Sequence, residues 1–279
     1  MLISFINSQG KKFTIHKNYV LSPNWAGFGD LFIDNKFKKA PYQKGSTYID
    51  TVFKERVPTI EFTILADSRQ KIFERRFVII KDFNPELGLG ILEWEQEDGT
   101  KYQIELIPSE VIFPGGDGQG PTHQEVIIQF QAPYPFWYNP ELLEQYFIGF
   151  SGGLSIPFSF PWTFGEIGTE VELIYNGNTN APVLIYMNGE VVNPQIKNLT
   201  TGKTIKINTT IPDGSILVIN TKFGKKSVRI DGENAFQYVA PESEFWEFIP
   251  GINKIKYIAT SEGANAKCRL TYYEWFTGR

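Results

Sequence analysis

Residues 132–140 read Ala-Pro-Tyr-Pro-Phe-Trp-Tyr-Asn-Pro, and this stretch decides how the chain divides. Each proline fixes its own φ at about −65° and removes a backbone donor, and it keeps the residue before it out of the helical region. The stretch therefore runs extended and cannot be a central strand. Because it lies near the midpoint of 279 residues, we predict a joint between two domains, 1–135 and 136–279, with its aromatic side chains buried on both sides. The predicted joint consists of Pro133, Pro135, Phe136, Trp137 and Tyr138.

The composition favours strands over helices. Aromatic residues make up 15% of the chain, with 23 Phe and 13 Tyr, and aromatic side chains fit pleated, half-buried surfaces. The 25 Gly and 17 Pro are spread along the chain, which is typical of many turns. We therefore expect a mainly β protein with a substantial core.

Charge and cysteine usage narrow the functional classes. The formal net charge is −4, and it is shared evenly: 15 basic and 17 acidic residues in 1–135, 12 and 14 in 136–279. A nucleic-acid-binding module is usually clearly basic, so we expect no specific nucleic-acid binding. The single Cys268 excludes an intramolecular disulfide. Neither a signal-peptide pattern nor a membrane-length apolar run is present, so we expect folding in a cytoplasm and no membrane insertion.

The N-terminal domain is predicted to combine strands with one helix. Ser68 is a plausible N-cap for a helix over 70–81, on which Phe73, Phe77 and Ile80 recur on one face. Asp98-Gly99 is the turn of the clearest hairpin. Strands are predicted at 2–6, 12–15, 59–65, 90–95, 101–107 and 125–131.

A polar, basic stretch over 34–48 interrupts this pattern. It is either a solvated loop or an arm that embraces a neighbouring subunit. The candidate subunit-contact residues are Lys36, Phe37, Lys38, Lys39, Tyr42 and Lys44.

The C-terminal domain consists of short strands separated by glycine-containing turns. Seven or more strands at this spacing indicate a β-sandwich, and the absence of helical crossovers excludes a parallel α/β sheet. The predicted strands lie at 170–175, 182–187, 203–208, 216–221, 225–230, 252–260 and 266–276.

No catalytic or metal-binding constellation stands out, so we predict no cofactor, no metal and no enzyme. His16 and His123 lie on separate segments, without zinc-ligand spacing. Glu93 and Glu95 could suggest a glycosidase pair or a calcium site, but acidic side chains pointing outward with Trp94 inward are ordinary for a half-buried hairpin. The glycine-rich stretch 115–120 lacks the residues of a phosphate loop.

Sugar binding is the alternative function that the residues keep open. A β-sandwich can bind glycans by stacking exposed aromatic side chains, and Trp162 and Trp246 are the candidate contacts. Under this hypothesis the chain is a glycan-binding module that targets a host cell wall.

The chain resembles the distal tail proteins of siphophages, the baseplate hub family, in three groups of sequence motifs. The first is the joint at 132–138. The second is Ser151-Gly152-Gly153 followed by 156–160. The third is the order of turn signals that includes Asn176-Gly177, Asn193-Pro194, 198–202, Asp213-Gly214, 224–228 and Pro250-Gly251-Ile252-Asn253.

The resemblance implies a structural virion protein without catalysis. Its N-terminal domain would close a hexameric ring with the help of an arm, and its C-terminal domain would be a galectin-like β-sandwich facing outward. The implied partners are other copies of the chain, the tail tube protein, a tail-associated lysin or tip protein, and a receptor-binding protein. The implied location is the phage tail tip, after assembly in the host cytoplasm.

Overall fold

The computed structural model describes residues 2–16, 19–22, 24–148, 167–263 and 266–278. The chain forms two compact units, one of Met1–Pro140 with Phe276–Arg279 and the other of Glu141–Trp275. Both consist mainly of antiparallel strands, so the mainly β fold class predicted from the sequence is confirmed. The observed division follows Pro140, five residues beyond the predicted one, and the last residues of the chain return to the first unit.

The elements of the first unit are β1 (Leu2–Ile6), β2 (Lys12–Ile15), β3 (Tyr19–Leu21), β4 (Ile33–Lys38), β5 (Thr47–Phe53), β6 (Thr59–Leu65), α1 (Arg69–Asp82), β7 (Gly90–Glu95), β8 (Lys101–Ile112), β9 (His123–Gln131) and β10 (Trp137–Tyr138), with 3₁₀ helices at Pro85–Leu87 and Gly116–Gly118. The main sheet has the strand order β2-β1-β7-β8-β9-β6-β3. The first half of the long strand β8 pairs with β7 and the second half with β9, with a shift of register between Pro108 and Glu110. Such an irregularity bends a strand and increases its twist.

Aromatic side chains fill the core of this unit. Phe5 stacks on Phe83 with ring centroids 4.7 Å apart, and it also contacts Phe130. Alternate residues of β6 and β9 are completely buried, as the period of two in a half-buried strand requires.

The predicted helix is confirmed, but the face that packs against the core differs from expectation. α1 begins after Ser68, whose hydroxyl accepts a hydrogen bond from the Lys71 amide, and it continues through the β-branched run to Asp82. Its buried apolar residues are Ile72 and Ile79. The repeating residues Phe73, Phe77 and Ile80 lie exposed on the opposite side.

The basic stretch forms a β-hairpin instead of an irregular loop. β4 and β5 pair only with each other among the described residues, as a separate two-stranded sheet. Every residue of β4 and nearly every residue of β5 is exposed. We call residues 33–53 the arm.

The strands of the second unit are β11 (Leu143–Ile148), β12 (Ile167–Tyr175), β13 (Val183–Asn188), β14 (Val191–Val192), β15 (Gln195–Asn198), β16 (Lys203–Lys206), β17 (Thr210–Ile211), β18 (Ile216–Asn220), β19 (Ser227–Ile230), β20 (Glu233–Asn234), β21 (Gly251–Ala259), β22 (Ser261–Glu262) and β23 (Lys267–Tyr272), with a 3₁₀ helix at Phe236–Tyr238. They form a six-stranded sheet, β11-β23-β13-β18-β19-β20, and a four-stranded sheet, β12-β21-β15-β16. A small third sheet has the order β17-β14-β22. The last strand, β24 (Trp275–Phe276), pairs with β10 in the sheet of the first unit, to which Phe276 belongs.

The two larger sheets pack face to face as a β-sandwich. Phe147 of β11 contacts Tyr257 of β21, and Tyr175 of β12 contacts Tyr272 of β23. Each predicted strand of this half has a counterpart, although the last one is divided into β23 and β24. β11, β15 and the two-residue strands were not predicted from the sequence. β15 and the two-residue strands are too short to carry a periodic pattern.

Two buried asparagines hold the turns of the four-stranded sheet. The Asn253 side chain accepts a hydrogen bond from the Ile249 amide and donates to the Ile249 and Gly251 carbonyls. The side-chain oxygen Oδ1 of Asn198 accepts a hydrogen bond from the Thr201 amide. The side-chain amide of Asn198 donates to Oδ1 of Asn253. Asparagine side chains suit turns because they can replace backbone hydrogen-bonding groups. The resemblance motifs at 198–202 and 250–253 therefore have a structural role in this unit.

Candidate functional site

The proline-aromatic segment lies in the first unit. Trp137 is completely buried; it stacks on Phe28 with centroids 5.4 Å apart and meets Trp94 edge-on at 5.8 Å. Its indole N–H donates to the Phe28 carbonyl at 2.9 Å. Phe136 contacts Phe53 at the base of the arm. These contacts fix the segment to the first unit, and a role in setting the angle between units stays a prediction.

The remaining predicted joint residues continue this segment. Tyr138 pairs with Gln103 of β8. Pro133 is exposed, whereas Pro135 is half-buried. The Pro135 carbonyl oxygen accepts a hydrogen bond from Arg56, a residue that the sequence analysis did not single out.

Arg56 is only 1% exposed, and its guanidinium joins three separate segments of the first unit. It donates hydrogen bonds to the carbonyl oxygens of Pro135 at 2.7 Å, Gly27 at 2.9 Å, Phe28 at 3.0 Å, Asp30 at 2.6 Å and Thr277. Its backbone also pairs with Ala132, directly before the first proline. Burial lowers the pKa of Arg56, and the nearby Asp30 carboxylate opposes this effect. We call Arg56 with these five carbonyls the arginine clamp.

Local sequence explains how the clamp closes. Gly27 has a φ of +79°, a conformation that glycine adopts without penalty, and a Cβ there would lie 2.6 Å from the Val57 carbonyl oxygen. The Gly27 amide donates to the Asp30 carboxylate, which tightens the 27–30 turn around the guanidinium. No motif in the sequence indicates this arrangement, because Lys-Glu-Arg at 54–56 has the pattern of a solvated charged run.

The predicted subunit-contact residues lie together on the arm. Lys36, Phe37 and Lys38 belong to β4, and Lys39, Tyr42 and Lys44 to the turn before β5. Phe37 is 58% exposed, and Tyr42 is fully exposed with a φ of +63°. Within the described part of the chain, none of the four lysine side chains makes a hydrogen bond or an ion pair. An isolated two-stranded hairpin is marginally stable in water. The arm would therefore gain stability by packing against another surface.

A second apolar surface surrounds the outward side of α1. Phe77 is 69% exposed, and Phe73 and Ile80 are also exposed. This surface includes an open cleft of about 670 Å³, which is lined by Phe77, Ile80, Pro85, Pro108, Val111 and Phe113. Contiguous exposed apolar groups of this kind mark interaction surfaces in soluble proteins.

The structure corrects the predicted glycan contacts. Trp246 is 1% exposed, and its indole N–H donates to the Ile196 carbonyl. Its ring is therefore not available for stacking on a sugar. Trp162 lies outside the described residues, as do the resemblance motifs at 151–153 and 156–160.

The acidic hairpin residues form a structural ion pair instead of a catalytic pair. Glu93 was expected to point outward, but it is buried, because β7 lies between β1 and β8 and their side chains cover it. It accepts hydrogen bonds from Lys12 at 2.7 Å and Gln103 at 2.8 Å. Burial would raise the pKa of Glu93, but these donors outweigh burial and hold it below its ordinary value.

Two further features concern metals and membranes. Across the described residues, no group of three or more His, Cys, Asp or Glu side chains is placed to hold a metal ion. No helix in the same residues is long and apolar enough to cross a bilayer.

One protein-family model matches part of the chain. Residues 176–276 match the family model described as the siphovirus-type tail component, C-terminal domain. The matched residues lie almost wholly in the second unit, so this unit is similar to that domain. The resemblance to distal tail proteins is thereby confirmed for this domain, and no curated protein matches the chain.

Solved structures extend the likeness to the fold of the whole chain. The Dit protein of phage SPP1, described as a paradigm of the hub adsorption apparatus in phages infecting Gram-positive hosts, matches with a TM-score of 0.71. The identity is 10%, over 98% of this chain and 99% of that one. Two structures of the activated phage p2 baseplate, with Ca and with Sr, each match with a TM-score of 0.52 and 12% identity, over 97% of both chains. At these identities the likeness shows the fold, which is that of the Dit hub proteins.

The arginine clamp can be tested by replacing Arg56 with methionine, which keeps much of the volume but removes every donor. Each buried carbonyl that loses its partner costs about 1–3 kcal/mol, so Arg56→Met should lower the free energy of unfolding by at least about 3 kcal/mol in urea titrations followed by tryptophan fluorescence. Arg229→Met is the matched control, since exposed Arg229 donates to one carbonyl, that of Gly232, and its loss should change stability by about 0.5 kcal/mol or less. Equal effects of the two substitutions would contradict the clamp.

Proposed function

We propose that this tail component is a distal tail protein that closes a hexameric ring between the tail tube and the tail tip. The family domain and the Dit fold support a place in a siphophage tail or baseplate. The observation that carries the ring is the arm, an exposed hairpin with uncovered apolar and cationic side chains. In the proposed ring, each arm lies on the neighbouring copy.

A closed ring requires a contact between two different surfaces of each copy. The arm supplies one surface, and the apolar side of α1 with its cleft is a candidate for part of the other. A stable contact needs about 1,000 Å² or more of buried surface, which an extended hairpin adds efficiently. The residues proposed for this contact are Lys36, Phe37, Lys38, Lys39, Tyr42 and Lys44.

The second unit is proposed to dock a receptor-binding or tail-associated protein. Its four-stranded sheet exposes a cross-strand apolar pair, Ile174 and Ile252, which gives a partner an apolar anchor. In this proposal the protein acts by assembly in the virion and performs no catalysis. The descriptions of the similar solved structures, a hub protein and a baseplate, support this role.

The ring can be tested on the purified full-length protein. Mass photometry and negative-stain electron microscopy should show six-copy particles and a six-fold annulus. A strict monomer at high concentration that also fails to bind the tail tube protein would overturn the proposal.

Charge placed on the arm should prevent the ring without unfolding the chain. Phe37→Asp combined with Tyr42→Asp puts two carboxylates on surfaces that the neighbouring copy must desolvate, which is costly. We expect monomers by light scattering, with a melting temperature close to that of the unmodified protein, because both side chains are exposed. Phe223→Asp, at an exposed phenylalanine of the second unit, is the control and should still give six copies. Rings formed by the arm variant would exclude the arm from the contact.

A further inference from the structure

Three turns of the second unit and the segment before β21 surround a polar pocket of about 220 Å³. The turns are those between β12 and β13, β15 and β16, and β18 and β19. At about 30 Å³ for each water molecule, the pocket has room for roughly seven waters, which is the scale of one sugar ring. The lining residues that bear on its chemistry are Asn180, Thr201, Lys203, Phe223, Lys226 and Glu247.

Glu247 is the unusual group in this pocket. It is half-buried, and no hydrogen bond or ion pair engages its carboxylate in the part of the chain that the structure describes. Burial raises the pKa of Glu247, while Lys226 and Lys203 act in the opposite direction from beyond ion-pair distance. Placing a carboxylate out of water without a partner costs stability, so this arrangement calls for a functional explanation.

The chemistry of the pocket selects the kind of group that would satisfy it. The carboxylate needs donors, whereas the ammonium groups of Lys203 and Lys226 need acceptors. A hydroxyl group both donates and accepts, so neighbouring hydroxyls can bridge Glu247 and a lysine. The two ammonium groups disfavour a cationic ligand, and the Glu247 carboxylate offsets part of their attraction for a phosphate.

The rim supplies an aromatic surface. Phe223 is 75% exposed, at the turn in which Gly224 adopts a φ of +73°. Phe245, by contrast, has one ring face stacked against Phe236 at 5.8 Å, and Lys226 lies over the ring at 5.7 Å. Phe223 therefore offers the apolar face against which the C–H groups of a ring can pack, next to a few convergent polar groups, as small-ligand sites require.

We propose that this pocket binds one neutral sugar ring of a polysaccharide. The ring would stack on Phe223, and its hydroxyls would donate to Glu247 and accept from Lys203 or Lys226. Trp246 also lines this pocket, but it is buried, so its ring is not the stacking surface that the sequence suggested. The proposal concerns a single copy of the chain and does not depend on ring formation.

Ligand-observed NMR on the full-length protein tests the site. The probes are glucose, galactose, rhamnose and N-acetylglucosamine at millimolar concentration, with glycerol 3-phosphate as the anionic comparison. We expect saturation transfer to the ring C–H protons of at least one neutral sugar. Phe223→Ala and Glu247→Gln should each weaken that binding about tenfold, a loss of about 1.4 kcal/mol.

Ile216→Ala is the matched control, since Ile216 is an exposed apolar residue of the second unit that does not line the pocket; it should leave sugar binding unchanged. Neutral-sugar binding that survives both pocket substitutions would overturn the proposal, because the sugar would then bind elsewhere. Binding of glycerol 3-phosphate alone, or of no probe, would also overturn it. Rings seen by electron microscopy without sugar binding would reject the pocket and leave the proposed assembly standing.

The raised pKa of Glu247 predicts that replacing this residue with glutamine stabilises the protein in a pH-dependent way. Because the folded state raises the pKa of Glu247 above its ordinary 4.5, stability from this group is greatest below that pH and falls as the pH rises through the folded-state pKa. Glu247→Gln removes the charge, so it should melt at a higher temperature than the unmodified protein at neutral pH. This difference should shrink when the pH is lowered below 4.5.

A combined result separates a binding role from a structural one. Substitution of a structural carboxylate lowers the melting temperature, whereas Glu247→Gln should raise it while weakening sugar binding. A lower melting temperature at neutral pH would show that Glu247 stabilises the fold, and it would contradict an unpartnered carboxylate held for a ligand.

Discussion

The first unit depends on one buried cation, Arg56, whose guanidinium makes no ion pair among the residues that the structure describes. The Arg56 guanidinium donates hydrogen bonds to backbone carbonyls of the 27–30 turn, the proline-aromatic segment and the end of the chain. Arginine suits this task because its planar group presents several donors in fixed directions and stays charged when buried. Removing these carbonyls from water without the guanidinium would leave them unsatisfied. The positions of Trp137 and of the base of the arm follow from this arrangement.

Strand content, the helix and the sandwich could be predicted from the sequence, because each has a local physical cause. The stretch over 34–48 was expected to be either a loop or an arm, and its pairing as a hairpin was not predicted. Asp98-Gly99 sets a hairpin, Ser68 begins a helix, and alternation in β6 indicates a half-buried strand. The orientation of the helix could not be predicted in this way. Both faces of α1 carry apolar residues, and only tertiary packing decides that Ile72 and Ile79 are buried while Phe77 is exposed.

Some candidate functional residues could be recognised from the sequence, and others could not. The arm lysines were recognisable because a cluster of charges is visible in a linear sequence. Arg56 and Glu247 were not, because what distinguishes them is their surroundings: five carbonyls lie around Arg56, and no described residue pairs with the Glu247 carboxylate. Trp246 failed as a glycan contact for a related reason, since a tryptophan in an aromatic-rich stretch can serve a surface or a core equally well.

The arm has a consequence for the protein before it meets its partners. A lone hairpin presents unpaired backbone groups along its edges, and such edges invite pairing with the wrong chain. Lys36, Lys38, Lys39 and Lys44 place like charges along this hairpin, so two free arms repel each other at close range. These lysines would act as gatekeepers against fibrous aggregation, and high salt, which screens them, would shorten the shelf life of the unassembled chain.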